Sequence, residues 1–149
     1  MRILLTLCGI LIIAGCSGSM VSLWETELNH PVQDTNSREQ VRESILEGAK
    51  NAGWETADLS DTTILATYQI KIHTVHVSIY YSEKYYRPKY KSSIAMKMYC
   101  TEWEKNKRKY LVSGIKNCPG DRPPYYINAN YKIWIDSLVA AIENSLSTK

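Results

Sequence analysis

Four cysteines, three histidines and one short basic run hold most of the reactive chemistry in this 149-residue chain. Cys8 and Cys16 lie in an apolar N-terminus, which leaves Cys100 and Cys118 as a pair. Three roles suit such a pair: a disulfide, part of a metal site, or a catalytic thiol. Zinc takes four close ligands, and neither cysteine belongs to a Cys-x-x-Cys or has a histidine nearby in sequence. A catalytic thiol needs an adjacent base and protection from oxidation. A disulfide needs only an oxidising compartment, so it is the expected state, and a lone pair has one connectivity. His73 and His76 stand three apart in a segment that alternates as a strand, so their side chains point to opposite faces and cannot share a metal. His73 is a candidate binding residue, weighed against a hydrogen-bonded structural role at the strand start. Lys105, Lys107, Arg108 and Lys109, with Trp103 beside them, form a candidate patch for an anionic ligand; the plainer reading is a solvated turn. Glu102 and Glu104 flank Trp103 with no acid–base partner that spacing would identify. Gly-x-Ser-x-Gly, phosphate-loop and dinucleotide patterns do not occur. No catalytic residue, cofactor or metal is expected, and the chain is not read as an enzyme.

The N-terminus accounts for the other two cysteines. Met1-Arg2 gives a short positive start, and 3–14 is an apolar run broken only by Thr6 and Gly9. That run has the length of a signal-peptide core and falls well short of the roughly 20 residues of a membrane span. It closes on Ile13-Ala14-Gly15-Cys16, which resembles the bacterial lipobox. The resemblance implies a lipoprotein signal over 1–15, cleavage before Cys16, and transfer of a diacylglyceryl group to the Cys16 thiol. Each buried CH₂ contributes about 0.8 kcal/mol, and two or more acyl chains give stable anchoring. The membrane is therefore the expected partner, through lipid on Cys16. Ser17 follows where Asp would favour retention, which implies the outer membrane, facing the periplasm; the inner membrane and the cell surface are the alternatives.

The positions that carry this chemistry need a scaffold, and 16–149 is long enough for one domain. Eleven Tyr, four Trp and no Phe suit half-buried sheet surfaces. A formal charge of +3 is no nucleic-acid signature. Residues 16–36, polar with Gly18 and Pro31, read as a lipidated tether, with Val21, Leu23 and Trp24 docking on the domain or on headgroups. A helix is predicted over 37–52: Ser37 and Gln40 fit a capping box, Val41, Ile45, Ala49 and Ala52 make an apolar stripe, and Gly53-Trp54 stops it. Strands follow over 54–59, 64–70, 75–81 and 85–92. The parity change between Ile72 and Val75 calls for a tight reversal or bulge, and Pro88 marks an edge or a bend.

Residues 98–124 read as an insert. Within it, 101–116 fits either a helix capped by Thr101 and Glu104 or a hairpin turned at 105–107; Tyr110, Leu111 and Val112 tip the reading towards the hairpin. The last helix is predicted over 129–146, capped by Asn128 or Asn130, with Tyr131, Trp134, Ile135, Leu138, Ile142 and Leu146 on its apolar side. The sum is a single α+β domain over 37–149: an antiparallel three- to four-stranded sheet with two amphipathic helices packed on one face, αβββα.

Gly53-Trp54, Ile64-x-Ala66, Lys71-x-His73-x-Val75-x-Val77-x-Ile79-x-Tyr81, Tyr90-x-Ser92-Ser93 and Tyr131-x-x-Trp134-Ile135-x-x-Leu138 together resemble a family of small outer-membrane lipoproteins. The resemblance covers nearly all of 16–149 and implies a helix, a three-stranded meander and a second helix. Lys132 stands where the family often has Asn, and 98–124 exceeds the family pattern. The family implies location and fold, and no activity. The expected role is an envelope binding or assembly module with an envelope protein as partner. The alternative is an inhibitor or immunity-type lipoprotein that neutralises an exported enzyme.

Overall fold

A computed structural model describes residues 19–33, 36–107, 117–120 and 122–148. In chain order the elements are β1 (Met20–Ser22), a 3-10 turn (Leu23–Thr26), β2 (His30–Pro31), α1 (Arg38–Asn51), β3 (Glu55–Ser60), β4 (Thr63–Ile70), β5 (His73–Tyr81), β6 (Tyr85–Ile94), β7 (Met98–Tyr99), α2 (Glu102–Asn106), β8 (Tyr126–Asn128) and α3 (Asn130–Ser147).

Helix α1 begins and ends where the sequence supplies its own partners. Gln40 N donates to Ser37 Oγ at 3.2 Å and Ser37 N donates to Gln40 Oε1 at 2.7 Å, which satisfies two amides that the first turn leaves free. At the other end Gly53 takes φ 80°, a left-handed value that costs glycine little. Gly53 N donates to Lys50 O and Trp54 N to Ala49 O, the pair of bonds that closes a Schellman motif. α3 starts with Asn130 N donating to Asn128 Oδ1 at 3.0 Å. The two helices run antiparallel, with Glu47 bonded to Ser145 and Gly48 against Ile142. At Gly48 the backbones touch: a Cβ there would lie 2.6 Å from Ile142 Cα.

Alternation along the strands then assigns faces. Ile64, Ala66, Val75, Val77, Ile79, Tyr81, Tyr86 and Tyr90 are buried together with Val41, Ile45 and Ala49 of α1 and Ile135, Leu138 and Ile142 of α3. Each such aliphatic side chain contributes about 1.5–3 kcal/mol by leaving water. Thr67, His76, Ser78, Tyr80, Arg87 and Lys89 take the opposite face of the same strands. Lys71-Ile72 is the two-residue reversal between β4 and β5, with Ile70 paired to His73, and Lys71 takes φ 53°.

The expected single sheet of three to four strands with two helices is overturned. Among the described residues two antiparallel sheets form, one of five strands in the order β2-β6-β5-β4-β3 and one of three in the order β1-β8-β7, with α1, α2 and α3 beside them. The additions come from segments too short to alternate. The span read as a tether contributes β1 and β2, which pair with β8 and β6; Leu23, Val32 and Thr26 are buried there. Residues 98–124 do not stand outside the sheets, because β7 pairs with β8 through Met98 and Ile127. The hairpin favoured within 101–116 gives way, over its described part, to α2: Glu104 N donates to Thr101 Oγ1 at 3.1 Å and Thr101 N to Glu104 Oε2 at 3.2 Å. Trp134, placed at the centre of the α3 stripe, is only half-buried.

The outer edge of β6 beyond β2 is closed by side chains. Tyr90 N donates to Glu27 Oε1 at 3.0 Å, and Lys91 O accepts from Asn117 Nδ2 at 3.1 Å. Pro88 shares parity with Tyr90, so its missing N–H falls on this outer edge and costs no ladder bond. Among the described residues no helix is long and apolar enough to cross a membrane.

Candidate functional site

The residues picked out by sequence fall into separate neighbourhoods. Cys100 and Cys118 stand at disulfide distance, their Cα atoms 5.7 Å apart, inside the range a disulfide requires. Both are buried, packed with Met98 in a small core of their own. Cys118 N donates to Arg122 O across the turn, and Tyr125 N donates to Tyr99 O, which ties the returning chain to β7. α2 hangs from this junction. Glu104 accepts from Cys100 N at 2.7 Å as well as from Thr101 N; its carboxylate is spent on capping. Trp103 is 59% exposed, and Lys107 is exposed at the end of α2. Lys105 Nζ lies 3.8 Å from the centre of the Tyr126 ring, a cation–π contact that partly satisfies the ammonium. Arg108 and Lys109 lie outside the described residues, as do Cys16 and residues 1–15.

His73 sits apart from this group, at the start of β5. Its Nδ1 is 2.8 Å from Ala95 O, and its ring faces Trp134 with centroids 6.4 Å apart. Trp134 meets Tyr68 at 5.3 Å, and Tyr68 meets Trp54 at 5.1 Å. This file of rings seals the end of the core between α3 and the β4–β5 hairpin. His76 occupies the other face of β5, where Nδ1 is 3.0 Å from Thr67 Oγ1, so the two histidines do not converge. Among the described residues no group of three or more His, Cys, Asp or Glu side chains is placed to hold a metal ion.

Sequence reading missed an open surface: the face of the five-stranded sheet away from the helices. Tyr85, Arg87, Lys89 and Lys91 succeed one another along β6, and Tyr80 stands directly across from Arg87 on β5. Tyr80 and Tyr85 are each 43% exposed. Two shallow hollows share Tyr80 and Lys89. One is completed by Asn29, Tyr85 and Arg87, the other by Leu59 of β3 together with Asn117 and Pro123 from the far side of the Cys100–Cys118 closure. Arg87 Nε is buried with no hydrogen-bond partner among the described residues. Flat phenol rings beside exposed cations can take a ligand that has both apolar faces and negative charge. The signal was present as the off-parity residues of the same strands whose core parity was read.

Beside this face, at the outer edge of β6, lies Glu27, a carboxylate with a shifted pKa. Burial raises the Glu27 pKa from its ordinary value of 4.5; the bond from Tyr90 N and the nearby Lys89 and Arg87 pull it back part of the way. Burial also pushes the Tyr90 hydroxyl up to about 12, against the opposing effect of its 2.9 Å bond with Ser93. Tyr86 and Tyr131 are raised further by burial. These tyrosines are core residues with satisfied or shielded hydroxyls, and the groups free to meet a partner are the cations and rings above them. No known family model matches this chain, and no curated protein or solved structure matches it either.

Proposed function

We propose that this protein is a lipid-anchored binding module of the bacterial envelope, held through acylated Cys16 in the outer membrane and facing the periplasm, and that it receives an anionic envelope partner on the open face of its five-stranded sheet. The observation that carries the reading is the apolar run 3–14 ending in Ile13-Ala14-Gly15-Cys16, a pattern that unites a cleavable signal with an acylatable thiol. Cys100 and Cys118 at disulfide distance support it, since disulfides persist in oxidising compartments. The Tyr80, Tyr85, Arg87 and Lys89 face supports the binding half, because a rigid sheet presents these groups with little ordering cost.

Metabolic labelling with a palmitate analogue tests the anchor: the wild-type chain should take up label and Cys16→Ala should not. Undiminished label on the variant sinks the lipid assignment. In-cell crosslinking tests the binding face, with Arg87→Ser and Lys89→Ser together expected to remove the main crosslinked partner. An unchanged partner set places the binding surface elsewhere.

A further inference from the structure

The described chain enters the fold at a defined end of the molecule. Ser19 O accepts from Ala129 N at 2.9 Å, which fixes Ser19 beside the first turn of α3. Cys16 is three residues earlier in sequence, and three extended residues span at most about 10 Å. If Cys16 carries lipid, as the reading above holds, this end of the domain cannot stand far from the bilayer.

The same end collects aliphatic groups that the core does not use. Ala129 leads into α3, where Ile133 is 62% exposed; the next residue, Trp134, faces His73; and His73 follows Ile72, which is 71% exposed at the tip of the β4–β5 hairpin. Single exposed apolar side chains are ordinary on protein surfaces. Here two isoleucines share the end that a short anchor would press against lipid. The hairpin tip adds a second oddity. Lys71 occupies a left-handed position that two-residue turns usually give to Gly or Asn, so a long basic side chain stands where a small residue would fit with less strain.

Charge runs the same way. Lys71 and Lys97 are exposed at this end, and Asp136 is engaged by Lys132 Nζ at 2.6 Å. Glu55 is the opposing carboxylate at the start of β3. At the far end the two hairpin turns expose Asp61 and Glu83, with Lys84 beside them. A basic, isoleucine-tipped end fits a surface of anionic headgroups over acyl chains.

We propose that the end of the fold bearing Lys71, Ile72 and Ile133 rests on the anionic bilayer surface that holds acylated Cys16. The domain is then oriented as well as tethered, and the open face of the five-stranded sheet stands to the side, clear of the membrane.

The test uses the mature acylated protein in vesicles of phosphatidylethanolamine and photoactivatable phosphatidylglycerol, with crosslinked peptides mapped after illumination. Peptides containing Ile72 and Ile133 should carry label well above the peptide spanning Arg87 and Lys89. Ile72→Ser with Ile133→Ser should lower that labelling about tenfold, as expected for removing two aliphatic side chains from the interface, while acylation of Cys16 is unchanged. Both positions are exposed, so the fold should tolerate the change. Equal labelling of all faces, or labelling indifferent to the two substitutions, in protein whose Cys16 is acylated overturns this orientation and leaves the anchor intact. Absence of acyl label on Cys16 in the same preparation overturns the anchor and the orientation with it.

Discussion

The five-stranded and three-stranded sheets differ in how far their strands travel to meet. β3 to β6 follow one another through tight turns, and the core faces of β4, β5 and β6 are covered by α1 and α3. β1, β7 and β8 are two or three residues each and are brought together from distant parts of the chain; Val21 and Ile127 face the main core, while Met98 packs with Cys100 and Cys118 in a small cluster of their own. The first sheet rests on apolar area. The second has little area to bury and relies on a covalent closure and on backbone bonds such as Tyr125 N to Tyr99 O. A region with a small core depends more heavily on whatever limits its unfolded alternatives.

That contrast can be broken first at the cysteines. Replacing Cys100 and Cys118 together by Ser should cost about 3 kcal/mol, the chain-entropy value for a loop of this size. Hydrogen exchange should show the loss concentrated in β1, β7 and β8, with β4 and β5 opening only in global unfolding. Uniform loss across both sheets would mean that the two regions unfold as one unit. Two alkylatable thiols in protein isolated without reductant would remove the covalent closure.

The helix-covered region is attacked at Gly48. Gly48→Ala places a methyl against the Ile142 backbone, which has no side-chain torsion with which to retreat. The expected loss is about 2 kcal/mol in urea titration, in the range for overpacked cores. It should appear in β4 and β5 and spare the disulfide. A neutral or stabilising result would show that α1 and α3 can slide apart, and that their contact is looser than the structure gives it.

The smallest effect sharpens the join between the regions. Glu27 has a raised folded pKa, so the stability it contributes is fully present below its ordinary value of 4.5 and is lost as pH rises through the higher folded value. Glu27→Gln keeps an oxygen for Tyr90 N and removes the titration. The variant's denaturation midpoint should stay level where the wild type's falls between acid and neutral pH. Identical pH profiles would mean that Lys89 and Arg87 fully offset the burial of the carboxylate.

Legibility in sequence followed length and locality. Both ends of α1 were readable because Ser37, Gln40 and Gly53 act on neighbours within five residues. The β4–β5 reversal was readable because eight or more alternating residues on each side reveal a change of parity. β1, β2, β7 and β8 were not, since two or three residues carry no period and their pairing is decided by distant partners. At 101–107 two local signals competed, and the reciprocal bonds of Thr101 and Glu104 outweighed the strand preference of residues farther on, over the part the structure describes. Trp134 was misjudged because it borders the α3 stripe, where Tyr68 and His73 shield one side only. Arg87 and Lys89 were overlooked because attention followed the buried parity of β6. Cys16, Arg108 and Lys109 lie outside the described residues, so the anchor reading rests on sequence and the basic patch is described only through Lys105 and Lys107.

The pairing of Met20 with Asn128 has a kinetic side. A meander with tight turns closes small loops and can form early, whereas a contact between residues so far apart in sequence closes a long loop and forms late. The N-terminal strand is synthesised first and must wait for β8, the last strand of the described chain. Until then β1 lacks its pairing partner. The slowest part of folding is thus assigned to the segment next to Cys16, and the final register of the molecule is set at the end where the chain began.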